Sequence, residues 1–170
     1  MLAELFDIVV MAVAVAFIFL PEWSKEGFRL SLLVTAPAVV LHEIAHKFVA
    51  IAFGASATIH AQYFGLGLGI FLRAIQSPFI LFIPGYAAIQ GDVTVLANIL
   101  ISFAGPGINL VLYLMSSYLL GRARDAQRLS RHHVLLVLTK RINGFLFVFN
   151  MLPVPPMDGF HVLSGILSLV

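Results

Sequence analysis

The chain has 170 residues, 61% of them hydrophobic and only 11% charged, against about a quarter charged in a soluble domain; this is enough for one domain over 1–170 and too little charge to cover a water-facing surface, so most of the exterior must meet lipid. The net charge of +2, with the basic residues gathered largely in one short stretch, excludes a nucleic-acid-binding face. Cysteine is absent, which removes disulfides and thiolate chemistry.

The first apolar run, Leu5 to Leu20, follows Glu4 and Asp7 instead of a basic region, and no small-residue cleavage site leads into polar chain. It reads as a retained span and not as a signal peptide. Pro21 and the mixed charges of Glu22, Lys25, Glu26 and Arg29 mark a solvated turn, with Trp23 at headgroup level. A second span is expected from about Leu30 to Phe53, interrupted by the polar group HEIAHK and carrying Pro37 in its first half.

The region from Ala55 to Gly91 has a different texture. ATIHAQYF and GIFLRAI hold β-branched and aromatic residues in short runs, and Gly65, Gly67 and Gly69 between them recur at strand spacing. Two strands near residues 59–72 are therefore expected, with the glycines admitting another backbone. The run at 77–91 is broken by Pro84-Gly85 and reads as a membrane-edge sheet or re-entrant hairpin in preference to a short span.

No Asp, Glu, Lys or Arg occurs from Val93 through Gly121, a third span long enough for about 30 Å of hydrocarbon. Its SFAGPGIN segment sets small residues where a second helix can approach, and Asn109 is expected to bond across the bundle. The basic loop at 121–133 reads as solvated. Residues 134–150 form a further apolar helix with Lys140 and Arg141 in its middle, groups that must reach water or snorkel. The last stretch, 160–170, would rise only about 16 Å as a helix, too little to cross alone. It is expected to be part of a longer helix cut short or a peripheral piece. The fold class that results is an all-α polytopic helical bundle in the cell membrane, with a small membrane-edge β-hairpin or sheet between the second and third spans.

HEIAH places His42 and His46 four apart, so both imidazoles lie on one helical face and can reach one metal ion. Glu43 stands beside that face, where a carboxylate can take a proton from water. At this composition the H-E-x-x-H pattern is expected by chance roughly 0.005 times. A single intramembrane histidine is as easily a packing residue with one hydrogen bond. Two with a carboxylate are costly to bury unless something pairs them, and a metal does so. Catalytic zinc takes three protein ligands and keeps one position open. Asp158, His161, His60, Asp92, His132 and His133 are the candidates for the third. Asp158 stands out because three prolines stiffen the approach to it, although with Gly159 it could simply cap the next helix.

HEIAH at 42–46, GPGIN at 105–109 and NMLPVPPMDG at 150–159 together resemble the site-two protease family of intramembrane zinc metalloproteases, whose motifs are H-E-x-x-H and N-x-x-P-x-P-x-L-D-G. Met157 replaces the motif's leucine, a volume-conserving exchange. The resemblance runs from about Leu30 to Gly159 and implies zinc as cofactor, His42, His46 and Asp158 as ligands, and Glu43 as general base. It also implies that Asn150 contacts the substrate backbone and that the substrate is a transmembrane protein. Many members continue with further spans or soluble domains beyond the point where this sequence stops.

The expected activity is peptide-bond hydrolysis in or near a transmembrane segment, with the strands at 59–72 offering an edge to the unwound substrate. A metal or ion transporter using the same His/Asp cluster is the main alternative, and an inactive zinc-braced scaffold a third. Orientation is open: the positive-inside rule puts the 121–133 loop in the cytoplasm. The resemblance brings His42, His46 and Asp158 towards the cytoplasmic half, which conflicts with that rule unless 77–91 spans.

Overall fold

Helix α2 (Lys25–Ala52) is the spine of the fold, and its start is written in the turn before it: Ser24 Oγ accepts from Gly27 N at 2.9 Å, an N-cap that closes one free amide. The helix runs through Pro37, whose ring removes one donor within the ladder. In a computed structural model that describes residues 2–20, 22–79, 82–122 and 130–169, the other elements are α1 (Leu2–Ile18), β1 (Ser56–Ala61), α3 (Tyr63–Ala74), β2 (Gly85–Gln90), α4 (Val95–Arg122), α5 (Arg131–Asn150) and α6 (Asp158–Leu167). Most of the described residues are helical, and the two strands form one antiparallel pair with Ser56 opposite Gln90 and Ala61 opposite Gly85. Helix α4 packs on α5, α2 and α6, while α1 packs on α2 and β1.

Two helices, Lys25–Ala52 and Val95–Arg122, are long and apolar enough to cross a membrane. Helix α1 is shorter but integral to the interior. Met11, Val15 and Ile18 are fully buried against Val39, Ile59, Leu66, Phe82 and Leu146. Its acids are accounted for as well. Glu4 accepts from Lys47 Nζ and, at 3.1 Å, from the Ile59 amide, while Asp7 accepts from the Tyr63 hydroxyl and lies 3.4 Å from His60 Nδ1. Lys140, in the middle of α5, sits over the Tyr113 ring at 5.6 Å, so an aromatic face receives the ammonium. Residues 123–129 of the basic loop lie outside the described residues.

One expectation fails. The strand pair near 59–72 is half right: β1 forms, but Tyr63–Ala74 is the helix α3, and the second strand is Gly85–Gln90. Gly65 and Gly69 are four apart as well as members of a two-residue series, and the helical period prevails. A Cβ at Gly65 would meet the Ile83 backbone at 2.6 Å, and one at Gly69 would meet Ile18 and Phe82 at 2.6 and 2.8 Å, whereas Gly67 faces open space. Gln62 starts the helix by accepting from Gly65 N at 2.9 Å. The glycines thus admit the chain that leads into β2, and they belong to no strand edge. The sheet reading of 77–91 holds for 85–90, where Pro84 ends one run and Gly85 begins the strand.

The pairing also tells which backbone groups of β2 are free. Ile59 N points away from β2 to Glu4, so Ile59 and its partner Ala87 form a pair whose ladder groups face outward. By the two-residue period, Gly85 and Ile89 share that outward edge.

Candidate metal centre

His42 and His46 are one turn apart on α2, with ring centroids 4.7 Å apart and planes at 78°. Both residues are buried. Asp158 reaches them from the first turn of α6. Met157, not Asp158, holds the N-cap position and makes no side-chain cap bond, so the capping alternative does not hold. The proline-rich bend is docked by Gly159: a Cβ there would collide with the carbonyl of Met151, and it would lie 2.8 Å from Leu152 O. That close approach of the α6 start to the α5 end fixes where the carboxylate points. Asp158 Oδ2 lies 3.2 Å from His42 Nε2 and 3.4 Å from His46 Nε2, and the two Nε2 atoms are 3.1 Å apart.

The outer nitrogens decide what this triangle can bind. His46 Nδ1 lies 2.7 Å from the Ile101 carbonyl and His42 Nδ1 2.7 Å from Asn109 Oδ1. Asn109 Nδ2 faces two further acceptors, Ala38 O at 3.0 Å and Asn143 Oδ1 at 2.8 Å, which sets the amide so that its oxygen meets His42. Each Nδ1 therefore carries the ring hydrogen and donates, leaving both Nε2 atoms as lone-pair acceptors. With both rings neutral, three acceptors, one of them a carboxylate, converge with no proton to share, an arrangement that a metal cation held between them would relieve. The spacing suits zinc: at Zn–N bonds of 2.0–2.1 Å, tetrahedral ligand atoms lie about 3.3–3.4 Å apart. Helix α4 leaves room on the remaining side because residue 105 is glycine. A Cβ at Gly105 would press on His46 Nε2 and stand 2.5 Å from His42 Nε2.

The triangle forms one wall of a cleft of about 530 Å³ that opens between α2, α5, α6 and β2. Glu43, itself buried, lines it, as do Phe82, Phe145 and Phe149 on the apolar side. Residues Gly85, Tyr86, Ala87 and Ile89 of β2 border the same cleft as His42, His46 and Asp158. Asn150, the last residue of α5, also lines the cleft. Its Nδ2 donates to Leu146 O at 3.0 Å and retains a second hydrogen for a ligand.

The remaining candidates separate from this group. His60 pairs with Asp7 and lies against the Tyr86 ring, and Asp92 and His132 are exposed. His133 sits at the start of α5, where its amide donates to the Ser130 cap. His161 lines the cleft but is exposed and outside the His42/His46/Asp158 cluster. The sequence pointed to Asn109 and, as a small residue admitting close approach, to Gly105, but not to Asn143 or the Ile101 carbonyl. Asn143 carried a usable signal, a second neutral amide within an apolar helix.

A protein of Methanocaldococcus jannaschii provisionally named a zinc metalloprotease is 35% identical over 164 residues, 95% of this chain and 83% of its own length. A Bacillus subtilis protein provisionally given the same name is 32% identical over 77 residues, covering 42% of this chain and 35% of that protein. No family model matches the chain, and no solved structure matches it significantly. Near-complete coverage by the archaeal sequence, together with a buried His/His/Asp cluster able to hold a metal ion, is the basis for the assignment. The chain belongs to the family of zinc-metalloprotease-like proteins that these archaeal and bacterial relatives represent.

Proposed function

We propose that this chain is a zinc-dependent intramembrane endopeptidase of the site-two protease type. It resides in the cell membrane and hydrolyses a peptide bond in or near a transmembrane segment of another membrane protein. The observation that carries the reading is the meeting of His42, His46 and Asp158 from two distant stretches, with Glu43 lining the same cleft, on a helix apolar enough to cross a bilayer.

Zinc held by these three side chains would supply a Lewis acid for the scissile carbonyl and make water acidic enough to serve as a nucleophile near neutral pH. Glu43 takes the proton from the attacking water and returns it to the leaving amine. The apolar wall around it keeps the carboxylate dry except on the cleft side, so the proton passes to substrate instead of to bulk solvent. Asn150 offers its free amide hydrogen to the substrate backbone beside the scissile bond.

A helical substrate shields its carbonyls, so it must unwind locally before attack. The outward N–H and C=O groups of Ala87 and Ile89 suit an extended segment, which would add to β2 as a third strand and lie along the ligand triangle. That role passes to β2 from the stretch at 59–72, most of which is helical.

Glu43→Gln tests the reading. The variant reconstituted in vesicles should keep stoichiometric zinc and lose cleavage of single-span model substrates by about a thousandfold or more. Cleavage within tenfold of wild type would refute Glu43 as the base. Zinc flux across the vesicle wall in wild type, without cleavage, would replace the protease with a transporter.

A further inference from the structure

The two histidine ligands are oriented by different means. His46 Nδ1 donates to a main-chain carbonyl, Ile101 O, which has no donor to offer in exchange. His42 Nδ1 donates to Asn109 Oδ1, an oxygen on a side-chain amide. Rotated by half a turn, that amide would present N–H₂ to His42. The ring would then shift its hydrogen to Nε2 and lose its ligand lone pair.

Something must therefore hold Asn109. Its Nδ2 donates to Ala38 O on α2 and to Asn143 Oδ1 on α5, at 3.0 and 2.8 Å. Asn143 is fixed in turn, because its own Nδ2 donates to Thr139 O at 2.9 Å, a main-chain acceptor one turn back. The donors run in one direction from His42 through Asn109 and Asn143 to the α5 backbone, so each bond polarises the next. Asn109 and Asn143 are 0% and 1% exposed, and no solvent competes for these groups.

We infer that Asn143 is a positioning residue that selects the metal-binding tautomer of His42 by locking the Asn109 amide. The inference rests on His42 being a metal ligand. Helix α5 contributes nothing to the ligand triangle itself, and through this amide it nevertheless sets the affinity of the triangle. The acceptor at position 143 is what matters, and an isosteric leucine removes it.

The test is zinc affinity of the purified full chain in detergent, measured by competition with a chromophoric chelator, with no activity readout needed. Asn143→Leu should weaken zinc by roughly three- to tenfold. In an Asn109→Asp background both side-chain oxygens accept, no orientation remains to be selected, and Asn143→Leu should cost nothing further. Thermal unfolding of the metal-free variants separates this from simple misfolding: a structural role would lower the midpoint without the rescue by Asn109→Asp. Equal zinc affinity for wild type and Asn143→Leu overturns the inference while leaving the ligand set standing. A wild type that binds no zinc overturns both.

Discussion

Gly105→Ala is the smallest change that strikes the proposed centre without touching a ligand. The added Cβ would meet His42 Nε2 at 2.5 Å and His42 Cδ2 at 2.7 Å, and would press harder still on His46 Nε2. Both rings are buried and tethered through Nδ1 at 2.7 Å. Retreat from the methyl group means stretching or breaking those tethers, each worth about 0.5–1.5 kcal/mol. Two together amount to ~1–3 kcal/mol, roughly a 5- to 150-fold loss of zinc affinity. Main-chain movement of α4 is the other outlet, and overpacking of that kind costs about 1–3 kcal/mol of stability. Chelator competition on the purified protein reads the affinity, and the thermal midpoint of the metal-free form reads the second outlet. Gly107→Ala is the control on the same helix. Its Cβ would meet only the Phe103 ring, at 3.3 and 3.5 Å, so zinc affinity should stay within about twofold of wild type. A Gly105→Ala protein that binds zinc as tightly as Gly107→Ala would refute the placement of α4 against the two ligand nitrogens.

Three further outcomes follow from the geometry. Asp158→Asn should reduce zinc occupancy measured by metal analysis by at least about tenfold, because a neutral amide replaces the anionic donor, while His161→Ala should leave occupancy unchanged. Ala87→Pro removes an outward donor without breaking a β1–β2 bond, so it should preserve zinc binding and slow cleavage of a transmembrane substrate about tenfold; unchanged cleavage would count against strand addition at β2. Gly65→Ala drives a Cβ into the Ile83 backbone and should destabilise the fold by about 1–3 kcal/mol in denaturant unfolding, whereas Gly67→Ala, facing open space, should not.

The centre was legible where chemistry imposes a local spacing. His42 and His46 must be a turn apart to share an ion, and that requirement appears in the sequence as four residues. Asp158 was legible in part: the prolines announced a rigid approach, but the sequence did not say that the N-cap falls on Met157 and leaves the carboxylate beside His42 and His46. The glycines at 65, 67 and 69 misled because the series satisfies both a two-residue and a four-residue period, and only the partners of Gly65 and Gly69 decide between them. β2 was partly obscured by Pro84, which breaks the apolar run just before the strand begins. Asn143 left no periodic mark. Its role depends on which way a neighbouring helix presents Asn109, which a lone amide in an apolar helix does not reveal. Long-range side-chain pairing of this sort is a property of packing and not of spacing.

In the proposed centre two imidazoles of α2 and one carboxylate of α6 share a single zinc ion. X-ray absorption at the zinc edge on the metal-loaded protein addresses it directly. A first shell of nitrogen and oxygen donors at about 2.0–2.2 Å with scattering from two imidazole rings is expected, with loss of that signal in His46→Ala. A third imidazole in the shell, or an unaltered spectrum in Asp158→Ala, would contradict it.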